Sequence, residues 1–297
     1  MKPVIKWVGG KTQLLEQIKK RLPVNFNKYS HQTYYEPFAG GLAVLLELMP
    51  SSAIVNDINP ELTNMYLQIK YQPQKVITNL KKLDELHESF EDPKEFYYSV
   101  RKDFNDNMGS ATAVQAARFI YLNKHCFNGL YRVNSKGEFN VPFNGKLSGK
   151  SFDEDHLLNV AEVLTNTLVL NKDFEDVVSG AGMNDFVFFD SPYAPLTPTS
   201  FTDYTKEGFS YDDHVRLSKL FRELTNRGCY CMLTNHDTSL IRELYKDFRI
   251  EVVDVRRSIN RNGSDRTGKE VIITNYNPKG TDFKPTVIEP HDEGDVV

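Results

Sequence analysis

Phe186-Val187-Phe188-Phe189-Asp190-Ser191-Pro192-Tyr193 is the stretch that decides how this chain is read. Four consecutive apolar residues without polar alternation describe a strand buried on both faces, as in a parallel sheet covered by helices. That strand delivers an acid, a rigid proline and an aromatic ring to one point. The point lies at a strand's carboxyl end, where open α/β sheets bind ligands. Such a trio suits a reaction at an exocyclic amine, whose lone pair is delocalised into its ring. A site that accepts both amine hydrogens lets the nitrogen move toward sp³ and aim its lone pair at an electrophile. The Asp190 side chain and the Ser191 carbonyl are the candidate acceptors, and Tyr193 is a candidate stacking platform. An ordinary strand-end turn is the competing reading of the bare tetrapeptide.

Working outward, the pattern alternates strand and helix on both sides. Upstream, Thr33–Phe38 is expected as a strand, Leu42–Leu48 as a buried helix, Ser52–Asn56 as the next strand and Pro60–Tyr71 as the next helix. About a hundred residues without a strand follow, with helices expected at Lys75–His87, Pro93–Asn107 and Ala111–Cys126, then an Asn- and Gly-rich hairpin or ordered loop at Asn128–Pro142. The alternation then resumes, with helices at Asp153–Leu164, Tyr211–Asn226 and Thr238–Tyr245, and strands at Thr167–Leu170, Phe186–Asp190, Cys229–Thr234, Arg249–Val255 and Glu270–Tyr276. This describes one Rossmann-like domain, residues 1–71 and 161–277, interrupted by an insert at 72–160 and followed by an acidic, disordered tail at 278–297.

Three further elements join the central one. Glu36-Pro37-Phe38-Ala39-Gly40-Gly41 places glycines directly after a strand, which permits a tight turn and close backbone approach to a nucleotide-like ligand. A tight turn without a ligand reads equally well. Asp57 closes Ile54-Val55-Asn56-Asp57, where an acid can accept hydrogen bonds from ribose hydroxyls. Capping of the helix after Pro60 is the other open role for Asp57. Lys6-Trp7-Val8-Gly9-Gly10-Lys11 invites a phosphate-loop reading, but Ile5 stands where that pattern needs glycine and no strand precedes it. Trp7, the only tryptophan, is open to two readings: a lid beside a cofactor, or core.

The formal net charge of −4 conceals a segregation. The segment from Thr281 to Val297 holds five acids and one base, so the first 280 residues are neutral. Residues 101–150 carry eight bases against three acids, and Arg256 to Lys269 carries five bases against one acid. A polyanion partner requires such clustering, although solvated surface charge can produce it too. The three cysteines, Cys126, Cys229 and Cys231, form no zinc-ligand pattern, and no metal is expected. Plain packing and a reducing cytoplasmic setting are the expected reading. No apolar run reaches the ~18 residues of a membrane span, and the N-terminus lacks the apolar stretch of a signal peptide.

The order of these motifs resembles the Dam-type family of DNA adenine methyltransferases over nearly the whole chain. The resemblance implies a Rossmann-like methyltransferase α/β fold, mostly parallel with one antiparallel strand, carrying a helical target-recognition insert. It implies transfer of a methyl group from S-adenosylmethionine to adenine N6 in double-stranded DNA, with the base flipped out of the helix. Trp7, Lys11, Phe38, Gly40, Asp57, Asp173, Phe174 and Asp190 would contact the cofactor, Asp57 at the ribose and Asp173 with Phe174 at its adenine. Asp190, Ser191, Pro192 and Tyr193 would form the catalytic motif.

Phe127-Asn128-Gly129-Leu130-Tyr131-Arg132 and Gly137-Glu138-Phe139-Asn140-Val141-Pro142 are similar to the recognition hairpin of members that methylate GATC. By that likeness Arg132 reads a guanine and Lys6 the other guanine. Leu130 and Pro142 would touch bases, and Phe127 with Asn128 would fill the gap left by the flipped base. Asn134 joins the candidate DNA contacts, and Arg256, Arg257 and Arg261 would serve phosphates. A monomer is expected, because the two strands of a palindrome can be methylated one at a time. The chain departs from the family pattern twice. Leu42 occupies the last glycine position of Phe-x-Gly-x-Gly, and Ser191 stands where the family has proline. Serine keeps the carbonyl but frees φ, so a fold-retaining relative with impaired catalysis is the alternative expectation.

Overall fold

The computed structural model describes residues 1–27, 31–196, 208–256 and 267–278. The described residues contain seven strands, numbered in chain order. The chain divides into two compact units, Met1–Leu15 with Phe38–Phe174, and Glu16–Pro37 with Glu175–Val297.

The first unit holds β2 (Ala53–Asn56) and β3 (Thr167–Leu170), paired in parallel with Ala53 opposite Thr167. Its helices start where their caps direct. Asn59 accepts hydrogen bonds from the Glu61 and Leu62 amides ahead of Pro60–Tyr71, Asp92 caps Pro93–Asp106, Thr112 caps Ala113–His125 and Asp153 caps Glu154–Thr165. Pro60, Pro73 and Pro93 each begin a helix, where the missing N–H costs nothing. Ala113–His125 is the central helix of the unit. Ala116, Ala117, Phe119, Ile120, Tyr121 and Leu122 are all buried, and the helix packs against both Pro60–Tyr71 and Pro73–Ser89.

A buried polar cluster ties the chain beyond the hairpin to these helices. Asp84 accepts both the amide and the hydroxyl of Ser151, and the same hydroxyl lies 3.2 Å from His125 Nε2. His87 Nδ1 sits 2.7 Å from the Tyr121 hydroxyl, and the His87 and His125 rings meet at 4.2 Å, tilted by 37°. Burial holds the His87 imidazole below its ordinary pKa, and burial, then His87, then Lys124, push His125 down to about 3. The unfolded chain therefore takes up protons below about pH 6.5 that the folded chain refuses, so stability is present above that pH and is lost as pH falls. The expected slope is up to about 1.4 kcal/mol per pH unit for each buried histidine. Thermal unfolding at about pH 7.5 and about pH 5 checks this: the midpoint falls at the lower pH, and His125→Gln loses part of the fall. A midpoint indifferent to pH would contradict it.

The second unit holds β1 (Tyr34–Glu36), β4 (Phe186–Phe189), β5 (Tyr230–His236), β6 (Arg249–Arg256) and β7 (Thr267–Thr274). β4 is parallel to β1 and to β5, whereas β7 runs antiparallel to both β5 and β6. All four β4 side chains are buried, as their unbroken apolar run requires. Ser210 and Asp213 close a reciprocal capping box at the start of the helix Tyr211–Asn226. The α/β, mostly parallel fold with one antiparallel strand is as expected from the sequence.

The differences lie at element ends and in short helices. β1 stops at Glu36, so Phe38 belongs to the turn. β5 runs two residues past Thr234, because pairing of His236 with Glu270 on β7 draws Asn235 and His236 into the ladder. The short helices Leu15–Lys19 and Phe174–Val177 were not expected from the pattern. Among the described residues no helix is long and apolar enough to cross a membrane. Most of the expected acidic tail lies outside the described residues.

Candidate active site

In the first unit the glycine turn is built around Gly40. Its φ of +47° suits glycine, and a Cβ there would come within 2.9 Å of the Trp7 ring. The Gly40 amide donates to Asp57 Oδ2 at 2.9 Å, and its carbonyl accepts the Tyr66 hydroxyl at 2.7 Å. Ala39 N–H reaches the Asn56 carbonyl at the end of β2. Leu42 carries the left-handed conformation where the family has glycine, at φ 58°, and its side chain is wholly buried. Core packing of the leucine thus holds a backbone geometry that glycine adopts freely.

Asp57 is half-buried at the end of β2. Its second oxygen accepts the Asn59 amide at 2.9 Å. Burial raises its pKa, and the amides of Asn59 and Gly40 oppose that rise. The helix cap itself is Asn59, so the capping role left open for Asp57 belongs to its neighbour. Phe38 and Phe174 face each other at 5.4 Å and 33°, with the half-buried Asp173 immediately before Phe174. Lys11 is buried, and its ammonium donates to the Gly9 carbonyl at 2.7 Å. Trp7 is half-buried, stacks on Tyr131 at 5.4 Å and 29°, and covers the glycine turn. It packs on protein and walls the turn at once, so its two readings are compatible.

The same unit carries the expected hairpin. Arg132 and Asn140 pair through the Asn140 amide and the Arg132 carbonyl at 3.0 Å, and Val133 bridges Phe139. Phe139 and Val141 are buried against Pro93–Asp106, where Asn105 bonds both backbone groups of Phe139 and the Tyr97 hydroxyl donates to the Val141 carbonyl. Phe127, Asn128, Arg132 and Pro142 are exposed. The Arg132 guanidinium is braced by Asn140, with Nε on Oδ1 at 2.7 Å and Nη2 on the carbonyl at 3.3 Å. Asn134 spends its side chain on the hairpin tip, accepting the Lys136 and Glu138 amides and donating to Glu138 Oε2. Leu130 is half-buried. Arg257 and Arg261, with the Arg256 side chain, lie outside the described residues.

In the second unit Asp190 follows β4 directly, half-buried, and its Oδ1 accepts the Thr234 hydroxyl at 3.0 Å. Ser191 is buried, Pro192 exposed and Tyr193 half-buried. Asn235, on the extended end of β5, clamps this loop. Its Oδ1 accepts the Ala194 amide at 2.9 Å and the His236 amide at 2.9 Å, and its Nδ2 lies 3.5 Å from the Ser191 hydroxyl. The Tyr193 hydroxyl donates to Glu270 Oε2 at 2.7 Å, and its ring meets His236 edge-on at 4.7 Å. Burial, followed by the charges of Asp190 and Glu270, holds the Tyr193 phenol well above its ordinary pKa, so it remains a donor. Sequence reasoning missed Thr234, Asn235 and Glu270, because no local motif announces them.

All three cysteines are free and buried, and among the described residues no cluster of His, Cys, Asp and Glu could hold a metal ion. Residues 7–259 match the D12 class N6 adenine-specific DNA methyltransferases. The Type II methyltransferase M.MjaIII of Methanocaldococcus jannaschii is 43% identical over 93% of this chain and 99% of its own length. The Type II methyltransferase M1.LlaDCHI of Lactococcus lactis subsp. cremoris is 42% identical over 93% of this chain and 96% of its own. The DNA adenine methylase of Escherichia coli K12 is 34% identical over 92% and 95%. With the acid, serine, proline and tyrosine held at the end of β4 and the match spanning most of its length, the chain belongs to the D12 class of N6 adenine-specific DNA methyltransferases.

Proposed function

We propose that this DNA adenine methyltransferase uses S-adenosylmethionine as its methyl donor and modifies the adenine of GATC in duplex DNA, one strand at a time and as a monomer. The donor set at the glycine turn fits an adenosine-bearing cofactor: the Asp57 carboxylate braced by the Gly40 amide, and the paired Phe38 and Phe174 rings. Asp57 would hold the ribose, Asp173 and Phe174 the adenine, and Trp7 and Lys11 the remaining wall. When bound, the cofactor supplies a methyl group on a sulfonium. Asp190 and the Ser191 carbonyl would accept hydrogen bonds from the two amine N–H groups, so that the N6 lone pair is freed from the ring and turned toward the methyl. Tyr193 stacks on the adenine, which leaves the helix to reach this motif. The observation that carries the reading is the anchoring of Asp190 by Thr234 and of its loop by Asn235.

The insert at 72–160 is the target-recognition part of this reading, and the three buried thiols suit a reducing cytoplasm. Arg132, exposed and braced by Asn140, reads one guanine and Lys6 the other. Leu130 and Pro142 contact bases, Phe127 and Asn128 fill the vacated space, and the basic stretch containing Arg256, Arg257 and Arg261 serves phosphates. Asn134 contributes by shaping the hairpin tip.

The test is transfer of labelled methyl to duplexes containing GATC, CATG or only G·C pairs. Label is expected on GATC alone, and Arg132→Ala is expected to lose about 1–3 kcal/mol of discrimination at one guanine. Equal labelling of GATC and CATG would remove the site assignment. Unchanged preference in Arg132→Ala would remove that residue from base reading.

A further inference from the structure

The segment from Met1 to Gly10 contains no helix or strand, so no ladder satisfies its backbone. At Lys6 a side chain does so instead. Asn123, buried in the last turn of Ala113–His125, accepts the Lys6 amide on Oδ1 at 2.9 Å and donates Nδ2 to the Lys6 carbonyl at 2.8 Å. A primary amide presents its acceptor and donor in one plane, and here it pairs with both polar groups of a single residue 117 positions away. The same Nδ2 also donates to the Gly129 carbonyl at 3.1 Å. Gly129 has φ +66°, and a Cβ on it would lie 2.7 Å from the Lys6 Cβ and Cδ, so the lysine's aliphatic stem rests directly on the start of the hairpin. One residue on, Trp7 stacks on Tyr131 of that hairpin. The backbone of Lys6 is thus locked while the residue itself is exposed.

From this geometry we infer that Asn123 is a positioning residue for sequence recognition. It locks the Lys6 backbone to the root of the hairpin, so that Lys6 and Arg132 read their two guanines in a fixed register. The inference rests on the proposed reading of Lys6 and Arg132 as base contacts. A lysine is a flexible point charge with little geometric selectivity of its own. Its discrimination therefore depends on where its Cα and stem are held. Asn123 touches neither DNA-reading side chain's charged end. Its removal should act on placement while leaving the charge in place.

The experiment measures kcat and KM for methyl transfer to duplexes in which 7-deazaguanine replaces each guanine of GATC in turn, removing the N7 acceptor. Lys6→Ala first assigns one guanine to Lys6. Asn123→Ala is then expected to lose about tenfold of the discrimination at that guanine, and less than about threefold at the guanine assigned to Arg132. The loss should enter through KM for DNA rather than kcat. In the double variant Lys6→Ala/Asn123→Ala the losses should not add, because both act through one contact. Asn123→Asp keeps the side-chain volume and the acceptor for the Lys6 amide but loses both donations, and it should show the same positional signature if the alanine variant folds poorly. If Lys6→Ala relaxes one guanine while both Asn123 variants keep full discrimination there, the inference fails and the reading of the site survives. Equal loss at both guanines would mark Asn123 as merely structural and overturn it. If Lys6→Ala relaxes neither guanine, the reading of Lys6 fails and takes the inference with it.

Discussion

Asp190→Ala is expected to lower methyl transfer by about 10³-fold or more, while DNA affinity stays nearly unchanged. The proposed mechanism asks Asp190 for one thing, to accept a hydrogen bond from the amine as its nitrogen becomes nucleophilic. An alanine has no acceptor to offer. The substitution also removes the Asp190 Oδ1 that accepts the fully buried Thr234 hydroxyl, a cost of about 1 kcal/mol that would mix a stability effect into the result. Asp190→Asn removes that ambiguity: it preserves the volume and one oxygen for Thr234, but replaces the second acceptor with a donor. Both variants should lose turnover, and only the alanine variant should lose stability. Single-turnover methyl transfer and a thermal midpoint, measured side by side, separate the two effects. Normal turnover in Asp190→Asn would exclude the carboxylate as the amine's acceptor.

Asn235→Ala should reduce kcat by about 10–100-fold and destabilise the fold by about 1–3 kcal/mol. Asn235 is wholly buried, and its single oxygen satisfies the amides of Ala194 and His236. Without it the buried Ala194 amide loses its acceptor, at about 1–3 kcal/mol, and the half-buried His236 amide loses one that water can partly replace. The loop of Asp190 to Tyr193 then loses its tie to β5, and a shift of about 1 Å at a reacting group can cost 10²-fold. Ser191→Ala forms the contrast. It removes only the 3.5 Å contact between the serine hydroxyl and Asn235 Nδ2, at the edge of hydrogen-bond range, so turnover should stay within about threefold of the parent. The family's proline restricts the backbone covalently at this position. Here the Asn235 side chain bonds the loop one residue beyond Tyr193, at the Ala194 amide. If Asn235→Ala kept the parent kcat well below its unfolding midpoint, the loop would owe its geometry to something else.

The helices and the central strand could be read from the chain because their causes are local. Asn59, Asp92, Thr112, Asp153 and Ser210 cap the helices that follow them, and Phe186–Phe189 is apolar at every position. Proline at the first helical position and glycine after a strand carry their conformational meaning wherever they occur. The candidate acid, serine, proline and tyrosine, the glycine turn, Asp57 and the hairpin with Arg132 all stand in contiguous motifs, so they too were visible in sequence.

Packing decided the rest. Leu42 adopts a left-handed backbone that its side chain disfavours, because the core holds the leucine. β5 extends to His236 because β7 lies beside it, drawing Asn235 toward the Asp190 loop 44 residues earlier in the chain. Asn123 finds Lys6 across 117 residues. An asparagine in a helix or strand carries no local mark of its partner. Its amide gains value only when folding removes water and leaves a distant backbone group in need of a hydrogen bond. Periodicity and capping therefore specified the elements and the chemical groups of this protein, whereas the residues that hold those groups in place were chosen by burial and by contacts far apart along the chain.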